Sequence, residues 1–171
     1  MIERNVYVWI PYSAALFLLC LIQTFVLSEL PLFGFYPALL PLTVGIVAVQ
    51  EGAPAGAGYG MCVGLLMQII APESVGLIIF GLSLLGFVAG LLARYRIQQG
   101  FSGCFICSLF VMTLLEIGQV LTHVLMDDGS ILSLLCVAGI ELLYSMICFP
   151  LIYLLYHRIH KQMHYAGRLG N

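Results

Sequence analysis

Residues 54–71 read PAGAGYGMCVGLLMQIIA, eighteen residues that include no charged side chain. A helix needs about 20 apolar residues to cross the hydrocarbon core of a bilayer, because its backbone groups find hydrogen-bond partners there only within the helix. Glycine recurs at every fourth position of this stretch, at Gly56, Gly60 and Gly64. That spacing places the three glycines on one helix face. The stretch therefore predicts a transmembrane helix that approaches a neighbouring helix closely.

The whole chain has the same apolar character. Of its 171 residues, 62 % are hydrophobic and 8 % are charged, and its mean hydropathy is +1.09. A soluble domain carries about 25 % charged residues, so this composition excludes a soluble enzyme and a disordered chain. The net charge of −2 leaves no basic face for a nucleic acid. The sequence thus predicts an integral membrane protein whose main surroundings are the lipid bilayer.

The six cysteines do not change this interpretation. Most of them lie in apolar runs, where cysteine behaves as a small hydrophobic residue. Cys104 and Cys107 form a CxxC pair, but neither a second pair nor nearby histidines follow it, as a zinc site would require. We therefore predict no metal, no other cofactor and no disulfide framework.

Six hydrophobic segments follow one another along the chain, and the connections between them are too short for a soluble domain. The segments are 6–27, 35–49, 54–71, 75–93, 103–126 and 131–156. The second segment is short and holds Pro37 and Pro41, so we expect it to be kinked or partly re-entrant. Lys and Arg concentrate on the cytoplasmic side of membrane proteins, and with an inside N-terminus all six of them fall on one face. The predicted architecture is a single all-α domain over 1–171 with six transmembrane helices and both termini in the cytoplasm.

Small residues predict which of these helices pack closely. The fourth segment carries Gly86 and Gly90 at the same four-residue spacing as the glycines of the third. Helices in lipid associate through close backbone approach at small residues. We therefore predict close packing of the third and fourth segments through these glycines, and the groove they form could serve this chain or a helix of a partner.

Two glutamates, Glu116 and Glu141, lie at membrane depth in the fifth and sixth segments. Both are equally far from the turn between these segments, so they share one depth, roughly 15 Å below the outer surface. Gln119 and His123 follow Glu116 on the same helix face, and Gln68 is the polar side chain of the third segment. Ionisable residues at this depth are candidates for function. The five residues together form the predicted intramembrane polar cluster.

Three interpretations of the glutamate pair remain open at this level. It could be a structural clasp of protonated carboxyls, a polar cavity for a small ligand or ion, or a contact with a polar residue of a partner's helix. The motifs GxxxxGK[ST], HExxH and GxSxG are absent from the sequence. We therefore predict that the chain has no catalytic residues and is not an enzyme.

The central part of the sequence, residues 37–96, has a recognisable order. A proline-bearing segment, PALLPLTVGIVAVQEG, leads to a glycine-rich span that ends in GLLMQII, then to APESVGL, and then to a helix that ends in LLGFVAGLLARYR. This order resembles the bacterial rod shape-determining MreD family. Many members carry an acidic residue after the GLL of the third span, where this chain has Gln68.

The resemblance implies a non-enzymatic, multi-pass subunit of the cell-wall elongation machinery in the bacterial inner membrane. Such a subunit associates with the scaffold protein MreC and, through the assembly, with the MreB filament and peptidoglycan synthases. The MreD fold is similar to the substrate-binding S-component of energy-coupling-factor transporters. The alternative interpretation is therefore an S-component that binds a vitamin or metal, and a third is a small ion or proton carrier that uses Glu116 and Glu141.

Overall fold

The computed structural model describes residues 2–26, 39–70, 77–96, 100–126 and 131–169. Across these ranges the chain is almost wholly helical and contains no strand, so the all-α prediction is confirmed. The helices are α1 (Ile2–Leu21), which continues as a π-helical turn at Ile22–Val26, α2 (Leu39–Glu51), α3 (Ala53–Ile70), α4 (Leu77–Arg96), α5 (Phe101–Met126) and α6 (Ile131–Leu169).

Three of the described helices are long and apolar enough to cross a membrane. They are α3, α5 and α6, over Ala53–Ile70, Phe101–Thr122 and Leu135–Gln162. The apolar parts of the other three helices are shorter, at Trp9–Phe25, Leu39–Glu51 and Ile78–Arg94. Length and composition thus agree with a helical membrane protein, and the number of crossings and the side of the termini stay predictions.

Helix α2 occupies the centre of the bundle. Every residue from Leu39 to Val49 is buried, and α2 contacts each of the other five helices. Its 13 residues extend about 20 Å, which is shorter than the roughly 30 Å of a hydrocarbon core. Pro41 stands in the first turn, where its missing N–H group has no partner to lose within the helix. The short proline-bearing segment is therefore an interior helix surrounded by protein.

The N-terminus of α2 is capped by a side chain from the end of α1. The first N–H groups of a helix have no partner within it. Gln23 Oε1, in the π-helical turn, accepts hydrogen bonds from the backbone N–H groups of Leu39 and Leu40, both at 3.1 Å. Because Leu39 and Leu40 are buried, this cap replaces the water that an exposed helix end would use.

The chain reverses between α2 and α3 at the single residue Gly52. Its φ of +95° lies in the left-handed region that glycine adopts without the steric cost of a side chain. The Gly52 N–H group donates to the Ala48 carbonyl at 3.1 Å, and the Gly52 carbonyl accepts from Gly56 N–H at 2.9 Å. This one-residue turn makes α2 and α3 direct neighbours.

Helix α5 also packs on α2 through small residues. A Cβ atom added to Gly45 would lie 2.6 Å from the Ser108 Cα atom, so no larger residue fits this crossing. The Ser108 hydroxyl donates a hydrogen bond of 3.1 Å to the Leu42 carbonyl. Edge-to-face contacts of Phe101 and Phe105 with Phe149 then join α5 to α6, with ring centroids 5.5 and 5.2 Å apart.

Candidate functional site

The five glycines that the sequence singles out all lie at contacts within the chain. An added Cβ atom on Gly56 would lie 2.6 Å from the Gly86 carbonyl oxygen, and one on Gly60 would meet the Leu82 carbonyl oxygen. The remaining three have equally close neighbours: the Ile79 Cα atom at Gly64, the Gly56 carbonyl at Gly86 and the Ala53 Cα atom at Gly90. The contacts of Gly90 with Ala53 also show that α4 ends beside the start of α3. The two glycine ridges therefore pack against each other. The sequence left open whether the groove at these glycines serves this chain or a partner's helix, and in the structure this chain fills it.

Gly58 lies on a face of α3 different from that of Gly56, Gly60 and Gly64, and its surroundings are open. It is exposed, and an added Cβ atom would have nothing within 4 Å. It borders a groove of about 460 Å³ between α1 and α3, whose walls are almost wholly apolar. The lining includes Trp9, Ser13 and Leu16 from α1, and Gly58, Tyr59 and Cys62 from α3. We call this feature the α1–α3 groove.

The structure brings together the two glutamates of the predicted intramembrane cluster. Glu116 is buried in α5, with 7 % of its surface exposed, and Glu141 is half-buried in α6. Their carboxyls are close enough for their charges to interact. Gln119 lies half-buried one turn further along α5, and the side chain of His123 is outside the described part of the structure.

Gln68 is not joined to this pair by any contact that the structure describes. Its Oε1 atom is buried on α3 and has no hydrogen-bond partner among the described residues. Gln50, on α2, shares this feature, because both polar atoms of its side chain are buried without a partner in the described ranges. An unpaired amide in an apolar interior costs about 1–3 kcal/mol. Of the predicted five-member cluster, the structure thus brings Glu116 and Glu141 near each other, with Gln119 one turn further along α5, and the place of Gln68 in the cluster stays a prediction.

A second polar cluster links three helices that are distant in the sequence. The Tyr12 hydroxyl donates a 2.8 Å hydrogen bond to Glu51 Oε1, and His160 Nδ1 lies 2.9 Å from the same oxygen. Tyr12 is fully buried, whereas the side chains of Glu51 and His160 are 19 % and 23 % exposed. The cluster therefore ties α1 and α6 to the C-terminal end of α2.

Sequence reasoning missed this cluster. Glu51 falls between the predicted segments 35–49 and 54–71, His160 falls beyond the predicted segment 131–156, and Tyr12 lies in the segment 6–27, where no motif distinguishes it. One signal was present: with six crossings and an inside N-terminus, all three residues stand towards the same side of the membrane. That signal concerns depth alone, and it does not predict which helices are neighbours.

Two further tyrosines extend the polar contacts into the bundle. The hydroxyls of Tyr59 on α3 and Tyr156 on α6 are hydrogen-bonded, and their rings meet edge to face with centroids 6.3 Å apart. The ring of Tyr156 also lies 6.0 Å from that of Tyr12. These rings connect α1, α6 and α3 directly beneath the α1–α3 groove, because Tyr59 forms part of its lining.

One cysteine of the CxxC pair, Cys107, lies in the α4–α5 contact. Both Cys104 and Cys107 are buried and have free thiols, and Cys107 Sγ lies 3.8 Å from the Ala89 carbonyl oxygen, within reach of a weak hydrogen bond. Among the described residues, no three His, Cys, Asp or Glu side chains are grouped so that they could hold a metal ion.

Comparison with known proteins identifies no relative of this chain. No protein-family model matches this sequence. No curated protein and no solved structure matches it either.

Proposed function

We propose that this chain is an MreD-like scaffold subunit of the cell-wall elongation machinery. It crosses the bacterial inner membrane six times, has both termini in the cytoplasm and acts by helix–helix association. The direct partner is an MreC-like scaffold protein, and the MreB filament and peptidoglycan synthases join through the assembly. The distribution of Lys and Arg supports this topology.

The fold of the central third supports the proposal. Residues 37–96 carry the resemblance to the MreD family, and their described part forms α2, α3 and α4. These three helices contact one another, with α2 buried and α3 and α4 joined through their glycines. The part of the sequence that resembles the family is thus also a tightly packed unit, as expected for a scaffold core.

The observation that carries the proposal is the uncovered apolar face of α6. Only 17 % of its apolar stretch is buried within the chain, compared with 39 % for α5 and 33 % for α3. Large exposed side chains follow a helical repeat along this face: Leu143, Ile147, Leu151 and Leu154, preceded by Ile140. We assign this α6 stripe as the surface that receives a partner's membrane helix. Because lipid gives no hydrophobic drive for helix association, the shape of such a stripe determines affinity.

Purification from the native host in mild detergent, followed by mass spectrometry, tests the proposal. We expect MreC-like and wall-synthesis proteins to accompany the wild-type chain. The double variant Leu143→Ala, Ile147→Ala should lose them, because it removes two protruding side chains from the α6 stripe.

A matched control uses Leu84→Ala with Ile69→Ala on α4 and α3. Leu84 is 63 % exposed and Ile69 77 %, which compares with 66 % for Leu143 and 73 % for Ile147. This control should retain the partners, and depletion of the chain should turn rod-shaped cells round. Recovery of paired ATPases with a coupling membrane subunit would contradict the scaffold function and support an S-component.

The coupled carboxyls of Glu116 and Glu141 favour a second candidate function. An acidic pair with one buried and one half-buried member suits a small ligand or cation pocket, as an S-component or an ion carrier would need. Ion flux into proteoliposomes that contain the purified chain separates an ion carrier from both scaffolding and vitamin capture. Flux that disappears in Glu116→Gln with Glu141→Gln would establish the ion carrier.

A further inference from the structure

Helix α6 is held unevenly along its length. Its buried side chains repeat at helical spacing along one face: Ser145, Phe149, Ile152 and Tyr156. This face ends at Ser145, because no residue of the stretch 135–144 is buried. We call the stretch 135–144 the α6 arm. The C-terminal part of α6 is therefore packed into the bundle, whereas the arm has no buried side chain to anchor it.

The contacts that anchor the C-terminal part of α6 come from three other helices. The hydroxyls of Tyr156 and of Tyr59 on α3 are hydrogen-bonded, and His160 Nδ1 lies 2.9 Å from Glu51 Oε1 on α2. The edge-to-face contacts of the Phe149 ring add α5. Neighbours in three directions thus hold this part of α6 in one orientation.

Pro150 stands inside α6, between the arm and most of these contacts. A proline has no N–H group, so the Met146 carbonyl loses its hydrogen-bond partner within the helix. Sharp bends in helices occur at such positions, and a hinge needs only a few residues that absorb the change of backbone angle between two parts. Pro150 is therefore a point of bending between the anchored part of α6 and the arm.

The end of α5, which precedes the arm in the chain, does not fix the arm either. Beyond Glu116, none of the side chains that the structure describes on α5 is buried. Gly118 lies in this stretch, and an added Cβ atom there would have nothing within 4 Å. Glycine is a poor helix former, and no close approach of a described helix accounts for it here. Gly118 thus gives the end of α5 a weak position at which it can follow the arm.

The glutamates Glu116 and Glu141 stand on opposite sides of this division. Glu116 is buried in α5, whereas Glu141 lies on the arm. Glu141 is about 14 Å along the helix from Pro150, so a change of about 20° in the bend, the lower limit of a sharp kink, moves it by about 5 Å. We propose that the α6 arm is a hinged segment that bends at Pro150, and that its movement opens and closes the gap between the two glutamates.

The chain carries two reporter positions for this movement. Cys62 on α3 and Cys136 on the arm are exposed free cysteines. Spin labels on both, in the full-length protein in detergent with Cys20 and Cys148 replaced by Ala, report the distance from the arm to the anchored bundle, which we call the arm distance. Pulsed electron paramagnetic resonance should give a distribution of arm distances that is spread over several ångströms.

A reference pair measures the spread that the labels themselves contribute. Leu154→Cys places a label on the anchored part of α6, where Leu154 is 58 % exposed. With Cys136 replaced by Ala, the distance from this label to the label on Cys62 should have a narrow, single-component distribution. The difference in width between the two pairs then belongs to the arm.

Substitutions at the two bending positions make the test specific. Pro150→Ala restores the missing N–H group and should narrow the arm distance to a single component. Gly118→Ala, which has space for its Cβ atom, should narrow it in part. The matched controls Pro11→Ala inside α1 and Gly58→Ala on the open face of α3 should leave it as broad as in the wild type.

An arm distance as narrow as the reference in the wild type would overturn the hinge. A broad arm distance that neither Pro150→Ala nor Gly118→Ala narrows would overturn it as well. Because the purified chain is measured without a partner, neither result depends on the scaffold function proposed above.

The connection between the hinge and the glutamate pair has its own test. Glu141→Lys places a cation near Glu116 and should favour the closed component, in which the two positions are as close as in the structure, by charge attraction. Combination with Glu116→Gln should remove this shift. An arm distance that Glu141→Lys leaves unchanged would refute the effect of the hinge on the pair.

Discussion

Tyr12 and Glu51 are joined by a 2.8 Å hydrogen bond that spans 39 residues of sequence. His160 reaches the same carboxylate oxygen from α6, at 2.9 Å. Helix α1 has few other attachments in the described structure, apart from Gln23 at its far end. Glu51 is therefore the point at which the first and last helices are fixed to the central one.

Loss of the Tyr12 hydroxyl should loosen this connection. Tyr12→Phe is expected to lower the free energy of unfolding by about 1 kcal/mol, the usual contribution of one hydrogen bond. Glu51→Gln should be additionally destabilising because it weakens the pairing with His160. The effects of the two substitutions should be non-additive in a double-mutant cycle, since both act on one contact. Thermal unfolding in detergent measures these changes.

Ser13→Ala is the control for this cycle, because Ser13 is exposed and bonds only within its own helix in the described contacts. It should change stability by less than about 0.5 kcal/mol. Purely additive effects of Tyr12→Phe and Glu51→Gln would show that the two groups do not interact.

Substitution of Gly60 should separate α3 from α4. Gly60→Leu places a Cβ atom against the Leu82 carbonyl group, and a backbone atom cannot rotate away as a side chain can. We expect destabilisation of at least about 1–3 kcal/mol, the range for overpacked interiors, and loss of a monodisperse species in gel filtration. Gly58→Leu, two residues earlier on the open face, should remain monodisperse. A Gly60→Leu protein with wild-type stability would contradict the close approach.

The two glutamines at the ends of described helices should respond in opposite directions. Gln23→Leu removes the cap of Leu39 and Leu40 and is expected to cost about 1–2 kcal/mol, since it leaves two buried N–H groups unpaired. Gln68→Leu removes an amide oxygen that has no partner in the described structure, so it should be neutral or stabilising. Unfolding temperatures of the two variants provide the comparison. A stabilising Gln23→Leu substitution would disprove the capping role.

The glutamate pair should tolerate neutral replacements if it is structural. Glu116→Gln with Glu141→Gln keeps a similar volume and, like protonated carboxyls, still allows hydrogen bonds between the two side chains. We therefore expect normal expression, normal stability and normal partner recovery. A well-expressed double variant that has lost its activity in cells would instead assign the pair to a ligand, an ion or a partner residue.

The length of an apolar run in the sequence is enough to predict the long apolar helices of this fold. The predicted segment 103–126 closely matches α5, and 54–71 matches α3 (Ala53–Ile70). The segment 131–156 ends early because the criterion was membrane thickness, whereas α6 continues as a helix to Leu169. The segment 35–49 overlaps α2, but apolarity alone does not show that this helix faces protein on every side.

The same distinction applies to the polar residues. Glu116 and Glu141 could be paired from the sequence, because consecutive helices joined by a tight turn have a known register. Tyr12 on α1 and Glu51 on α2 are 39 residues apart in the sequence, and His160 on α6 is a further 109 residues from Glu51. Their meeting depends on how the helices are arranged around α2, which neither periodicity nor depth specifies.

The central position of α2 also imposes an order on biosynthesis. Gly45 packs against Ser108, which leaves the ribosome about 60 residues later, or roughly 3–12 s at ordinary translation rates. During that interval α2 remains beside α3 through the one-residue turn at Gly52. We therefore expect the insertion machinery to release α2 and α3 together as a hairpin, and the side of α2 that faces α5 stays shielded by that machinery until α5 is made.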